Sequence, residues 1–207
     1  LLKPTRFPGS ILMLETDVAI IGCGLAGSTA AAMLGHAGIA TLVIDPHTEY
    51  PSDFRCEKLD GSQIAVLEKT GLAGPILAKG TMNSRILVVR GGRVVDNKPR
   101  RQCNILYNTL VNAMRGEIPQ GVERLTGKVT NVINSAEQQT LTLSSGETVS
   151  ARLVIFASGL NVALGESLGI DRKMISANYS VSIGFDIAPR DDGEGDFEAL
   201  TYFSERA

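Results

Sequence analysis

The chain has 207 residues, 43% of them hydrophobic and 20% charged, and a formal net charge of −2. That balance predicts a packed globular core and excludes wholesale disorder, and it leaves no electrostatic footprint for nucleic acid or an anionic membrane. No apolar run reaches the roughly 18 residues of a membrane helix, and Cys23, Cys56 and Cys103, unpaired in spacing, read as reduced thiols of a cytoplasmic protein, not as a disulfide framework or metal site.

Residues 1–12 read as a tag or flexible arm ahead of Met13. "DVAIIG" is apolar almost throughout, as a buried parallel strand is. The alanine-rich "LAGSTAAAMLGHAG" predicts a helix closing on Gly38, and "IATLVID" a second buried strand. Together they make a βαβ unit of about 30 residues. A polar loop follows, and then "CEKLDGSQIAVLEKTG", read as mostly helical with Ile64 and Leu67 on one face. "RILVVRGGRVVDN" predicts a hairpin over 84–97 turning at Gly91-Gly92. "CNILYNTLVNAMRG" predicts a helix whose core stripe is Ile105, Leu106, Leu110 and Met114. The stretch 121–159 predicts four or five short strands, the last of which, "LVIFASG", returns to the buried parallel sheet. "YSVSIGFDIAP" and "FEALTYF" predict further strands on either side of an acidic loop, "RDDGEGD".

The stretch "DVAIIGCGLAG" places Gly22, Gly24 and Gly27 as G-x-G-x-x-G between the first strand and its helix. Such a turn suits a dinucleotide pyrophosphate, which carries two negative charges and must approach the helix N-terminus closely. Gly22 allows the tight turn, Gly24 removes the side chain that would block the phosphates, and Gly27 lets helix and strand pack closely. Leu25 and Ala26 fill the free positions at the helix start. The motif is weak alone, but an acid at the end of the next strand supports it. Asp45 stands 21 residues beyond Gly24 and is suited to the ribose hydroxyls of an adenosine. An acid there also disfavours a 2′-phosphate, and with it NADP.

FAD and NAD share this fingerprint. A doubly wound NAD dehydrogenase would continue with a strand every 25 to 30 residues or so. This chain instead inserts a loop, helices, a hairpin and a strand-rich block before "LVIFASG", which favours an FAD domain with a substrate module threaded through it. The histidines, His36 and His47, have no carboxylate or serine at triad or metal spacing.

Four segments carry a resemblance to a known family: residues 17–46, the arginine of "DFRCEKLDG", the helix "CNILYNTLVNAM", and "GETVSARLVIFASGLNVALGESLGI". The sequence resembles, over roughly residues 15 to 207, the amino-terminal half of the p-hydroxybenzoate-hydroxylase-like flavoprotein monooxygenases, whose relatives include geranylgeranyl reductases and flavin-dependent halogenases. The resemblance implies an FAD cofactor and places Arg55 on the flavin side of the site. It implies that the helix from about Cys103 touches the ribityl chain, with Gln102 beside its start, and that backbone groups at Val129 face adenine. Ser158 and Gly159 fall where many members end the apolar strand with alanine-aspartate-glycine. Serine keeps a hydrogen-bond donor there but no charge, which weakens the link to NADPH-using hydroxylases more than the link to FAD.

The fold expected is therefore α/β. A Rossmann-like FAD-binding domain over 13–176 contains the βαβ unit and an inserted β-rich segment, and an incomplete substrate-domain sheet begins over 177–207. The function expected is FAD-dependent oxidation, with NAD(P)H as transient reductant and O2 as co-substrate, of a small organic molecule. A reductase of the geranylgeranyl-reductase type and a non-catalytic NAD-binding module are the alternatives. No residue is named as a catalytic acid or base.

Overall fold

The computed structural model describes residues 13–160, 163–170, 173–178, 183 and 198–204. In chain order its elements are β1 (Met13–Ile21), α1 (Leu25–His36), β2 (Thr41–Asp45), β3 (Cys56–Asp60), α2 (Gly61–Thr70), α3 (Ala73–Leu77), β4 (Thr81–Arg85), β5 (Leu87–Arg90), β6 (Arg93–Asp96), β7 (Pro99–Leu106), α4 (Tyr107–Gly116), β8 (Glu123–Thr126), β9 (Val129–Asn134), β10 (Gln139–Leu143), β11 (Thr148–Phe156), α5 (Ala163–Ser167) and β12 (Leu200–Phe203). The described residues form two compact units, one within 1–52 and 111–179, the other within 53–110 and 180–207.

The first unit holds a six-stranded sheet in the order β8-β2-β1-β11-β10-β9. Its first four strands are parallel, and β10 and β9 extend it antiparallel. The apolar runs recognised as buried strands are the central ones: β1 pairs Ile20 with Val43 on one side and with Ile155 on the other. Ile20, Leu42, Ile44, Leu141 and Val149 are almost wholly buried, each such side chain contributing roughly 1.5–3 kcal/mol of transfer free energy. Helix α1 lies on the sheet through Gly27, Ser28, Ala31 and Ala32. Small side chains on that face bring the helix axis close, and this closeness fixes where its N-terminus sits.

The second unit carries the antiparallel sheet β3-β7-β4 and the sheet β12-β5-β6. The expected hairpin is β5–β6, turning at Gly91 and Gly92 with φ of 52° and 77°, the left-handed values that a two-residue turn requires. Strand β12 occurs where "FEALTYF" predicts one, parallel to β5. The expected strand from Asn178 and the acidic loop after it lie outside the described residues, Asn178 and Ile183 excepted.

Two segments differ from expectation. Residues 56–60 are strand, not helix, because they pair with 102–106. Helix α2 starts only at Gly61, where the Asp60 carboxylate accepts from the N–H groups of Ser62 and Gln63 and the Gln63 side chain accepts from the Asp60 N–H. Likewise residues 103–106 continue β7, so the helix begins at Tyr107, four residues later than the apolar spacing predicts. Leu110 and Met114 are buried as expected, with Val111 beside them, whereas Leu106 is half exposed.

Candidate functional site

The glycine loop lies at the carboxyl ends of the parallel strands, where open α/β sheets bind ligands. Gly22 has φ +96°, and a Cβ there would stand 2.6 Å from the Ala157 carbonyl oxygen. A Cβ on Gly27 would collide with the Gly22 carbonyl. Gly24 differs, since a Cβ there would meet nothing within 4 Å. Two glycines are thus demanded by packing, while the third leaves open space at the head of α1, as the motif requires.

Gly24 is the N-cap of α1, with no side-chain cap and no acid in the first turn. The first intrahelical bond runs from the Ser28 N–H to the Gly24 carbonyl at 2.9 Å. The N–H groups of Leu25, Ala26 and Gly27 precede it, at the positive end of the helix dipole. β11 brings Ser158 and Gly159 alongside: the Ala157 N–H donates to the Ile21 carbonyl at 2.9 Å, and the Ser158 Cα lies 3.2 Å from the position of a Gly22 Cβ.

At the end of β2 the Asp45 carboxylate turns back to the loop. Its Oδ2 accepts from the Cys23 N–H at 2.7 Å, and its Oδ1 accepts from the His47 N–H at 2.9 Å. Arg115, on the last turn of α4, stands behind it with Nη2 3.2 Å from Asp45 Oδ1. Arg115 Nε donates to the Cys23 carbonyl and Nη1 to the His47 carbonyl. Asn112, one turn earlier, exchanges two hydrogen bonds with the backbone of Tyr50. Beside these groups lies a cavity of about 250 Å³, lined by Asp45, His47, Arg115, Arg124 and Thr126 among others. Burial raises the Cys23 thiol pKa, and the Arg115 charge opposes that shift.

Gly22, Gly24, Leu25, Ala26, Gly27, Asp45, Ser158 and Gly159 thus share one unit and one end of its sheet. Val129 begins β9 at the far edge, with its side chain buried in the core. In β8, nearby in sequence, Arg124, Leu125 and Thr126 line the Asp45 cavity. Arg55 and Gln102 belong to the second unit. The central guanidinium carbon of Arg55 lies over the Tyr107 ring, 3.3 Å from its centroid. Gln102 is not beside a helix start. It is buried within β7, paired with Asp60 and Asn83, and its Nε2 donates to Asn104 Oδ1. No sequence signal marks Arg115 or Asn112: Arg115 follows Cys23 by 92 residues, and no local pattern links the two.

The uncapped helix end, the open space at Gly24 and the acid at the end of β2 fit an FAD. The family model described as "FAD binding domain" matches residues 15–206. The chain belongs to that family of FAD-binding proteins.

It is 28% identical over 176 residues to the ubiquinone hydroxylase UbiL of Rhodospirillum rubrum, covering 74% of this chain and 39% of that protein. It is 22% identical over 183 residues to the probable electron transfer flavoprotein-quinone oxidoreductase YdiS of Escherichia coli K12, covering 81% and 42%. In fold it is similar to Pseudomonas aeruginosa PqsL, solved in complex with 2-aminobenzoylacetate, with a TM-score of 0.66, 22% identity and coverage of 77% and 47%. The chain spans about two-fifths of the length of the curated relatives it matches.

Proposed function

We propose that this chain forms the FAD-holding portion of a flavin-dependent monooxygenase that uses NAD(P)H and O2 to hydroxylate a small organic substrate. The observation that carries the reading is the family match over 15–206, together with a glycine cradle open only at Gly24. The similarity to UbiL, whose name states a hydroxylase of ubiquinone, supports the reaction class.

Bound FAD would supply hydride acceptance and oxygen activation. The residues of the chain would hold and orient it. The N–H groups of Leu25, Ala26 and Gly27 would receive the pyrophosphate at the head of α1. Asp45, fixed by the Cys23 and His47 N–H groups, would accept from the ribose hydroxyls. Ser158 would offer a neutral hydroxyl near the loop. Arg55, held over the Tyr107 ring, would present a guanidinium to an electron-rich or anionic group. We assign the β5–β6 hairpin to the substrate side, and the three free cysteines support a cytoplasmic location.

The test is FAD content followed by turnover. Protein that retains FAD, and oxidises NAD(P)H with matching O2 uptake when a substrate is added, supports the reading. Failure to take up added FAD overturns it. A flavoprotein reductase is the second reading, favoured by Ser158 in place of aspartate and by the similarity to YdiS. Substrate reduction without O2 uptake would select it.

A further inference from the structure

Arg115 is a buried charge that neither the glycine motif nor the family resemblance explains. Its side chain is only 6% exposed. A guanidinium keeps its charge at any accessible pH, so its burial demands a partner. Asp45 is that partner, yet Nη2 makes no hydrogen bond to it or to any other described group. The other two nitrogens are committed: Nε donates to the Cys23 carbonyl at 2.7 Å and Nη1 to the His47 carbonyl at 2.9 Å. One side chain therefore ties together the glycine loop, the acid at the end of β2 and the loop beyond it. All three line one cavity with Arg124, whose Nη2 donates to the Arg115 carbonyl.

A carboxylate offers about four acceptor positions. The Cys23 and His47 N–H groups take two of those on Asp45, and Arg115 lies against a third. Asp45 is thereby held in one orientation with little freedom left to rotate. The two arginines also outweigh the one carboxylate, so the cavity suits a nucleoside that carries phosphate.

We propose that Arg115 is a positioning residue for the adenosine end of the dinucleotide: it fixes the Asp45 carboxylate and the Cys23 carbonyl, and its unsatisfied Nη2 serves an acceptor of the bound nucleoside. The proposal rests on the reading that the glycine loop and Asp45 hold the cofactor.

The experiment measures dissociation constants of FAD and of ADP for the full chain, with thermal melts, in the wild type, Arg115→Met, Arg115→Lys, Asp45→Asn and the Arg115→Met/Asp45→Asn double variant. Arg115→Met should weaken both ligands about tenfold or more, the scale of one lost charge-assisted hydrogen bond. Arg115→Lys should recover part of that loss. The double variant should bind within about twofold of Arg115→Met, because the two residues act as one unit. Affinities of Arg115→Met within twofold of wild type, or additive losses in the double variant, overturn the proposal. If Arg115→Met does not fold, Arg115→Lys decides: several-fold weaker binding at an unchanged melting temperature supports positioning, and wild-type affinity assigns a purely structural role. A wild type that binds ADP but not FAD overturns the flavin reading while ADP still tests Arg115. A wild type that binds neither overturns both.

Discussion

The Cys23 N–H donates to Asp45 Oδ2 at 2.7 Å, so the middle of the glycine loop is fastened to the acid at the end of the next strand. The Gly22 N–H reinforces the joint from the same side, donating to the Ile44 carbonyl at 2.8 Å. Loop and acid form one rigid feature, and substitutions in it should separate folding from binding.

Gly24 and Gly22 provide that separation. Alanine at Gly24 meets open space, so stability should change by less than about 0.5 kcal/mol. FAD affinity should fall tenfold or more, because the methyl group occupies the approach of the phosphates. Alanine at Gly22 combines positive φ with a backbone clash at Ala157 and should cost about 2 kcal/mol or more of stability. Thermal melts beside FAD titrations check both outcomes. Equal stability loss at the two positions would refute the packing argument.

Arg55 and Tyr107 are joined twice, by the stacked guanidinium and by a 2.7 Å bond from the Tyr107 N–H to the Arg55 carbonyl. The side chain of Arg55 is half exposed, so the stack contributes only about 0.5–1 kcal/mol. Tyr107→Leu should therefore leave the fold intact while removing the ring from the guanidinium, whose Nε still lies 3.7 Å from Glu57 Oε1. If Arg55 serves the flavin, Arg55→Ala and Tyr107→Leu should shift the bound-flavin spectrum in the same direction, and the double variant should add little. Unchanged spectra in both would remove Arg55 from the site.

Glu198 anchors the segment leading into β12. Its carboxylate accepts from the Ser84 N–H at 2.6 Å and from the Ser84 hydroxyl, and these bonds hold its pKa below the usual glutamate value of 4.5. A carboxyl depressed in the folded state contributes stability above its unfolded pKa and loses it as pH falls through the folded value. Hydrogen exchange at β5 and β12 should therefore quicken as pH drops below about 4.5, after correction for intrinsic rates. Glu198→Gln should flatten that dependence. An unaltered profile in the variant would show that other carboxylates govern the transition.

The three thiols should react unequally. Cys56 is exposed, whereas Cys23 and Cys103 are buried and burial raises the pKa of both. A thiolate is the reactive species. A disulfide-exchange reagent at neutral pH should label one thiol rapidly and two slowly, and the adduct should map to Cys56. Fast labelling of Cys23 would mean that the glycine loop opens readily.

The sequence by itself determined the βαβ unit, the glycine loop and Asp45, because each lies in a single run of about 30 residues. There strand period, glycine spacing and apolar burial point the same way. It also determined that "LVIFASG" joins the parallel sheet beside β1, although the run is less covered than a buried strand would be, with Leu153 54% and Phe156 36% exposed. Residues 103–106 were different. Ile105, Leu106, Leu110 and Met114 have helical spacing, but β7 finds a strand on each side, and backbone pairing with β3 and β4 overrides the local preference. Arg115 lay further still from any local signal. Its charge can be buried only because folding brings Asp45, Cys23 and His47 around it, and such solvation by distant groups exists only once the chain has folded.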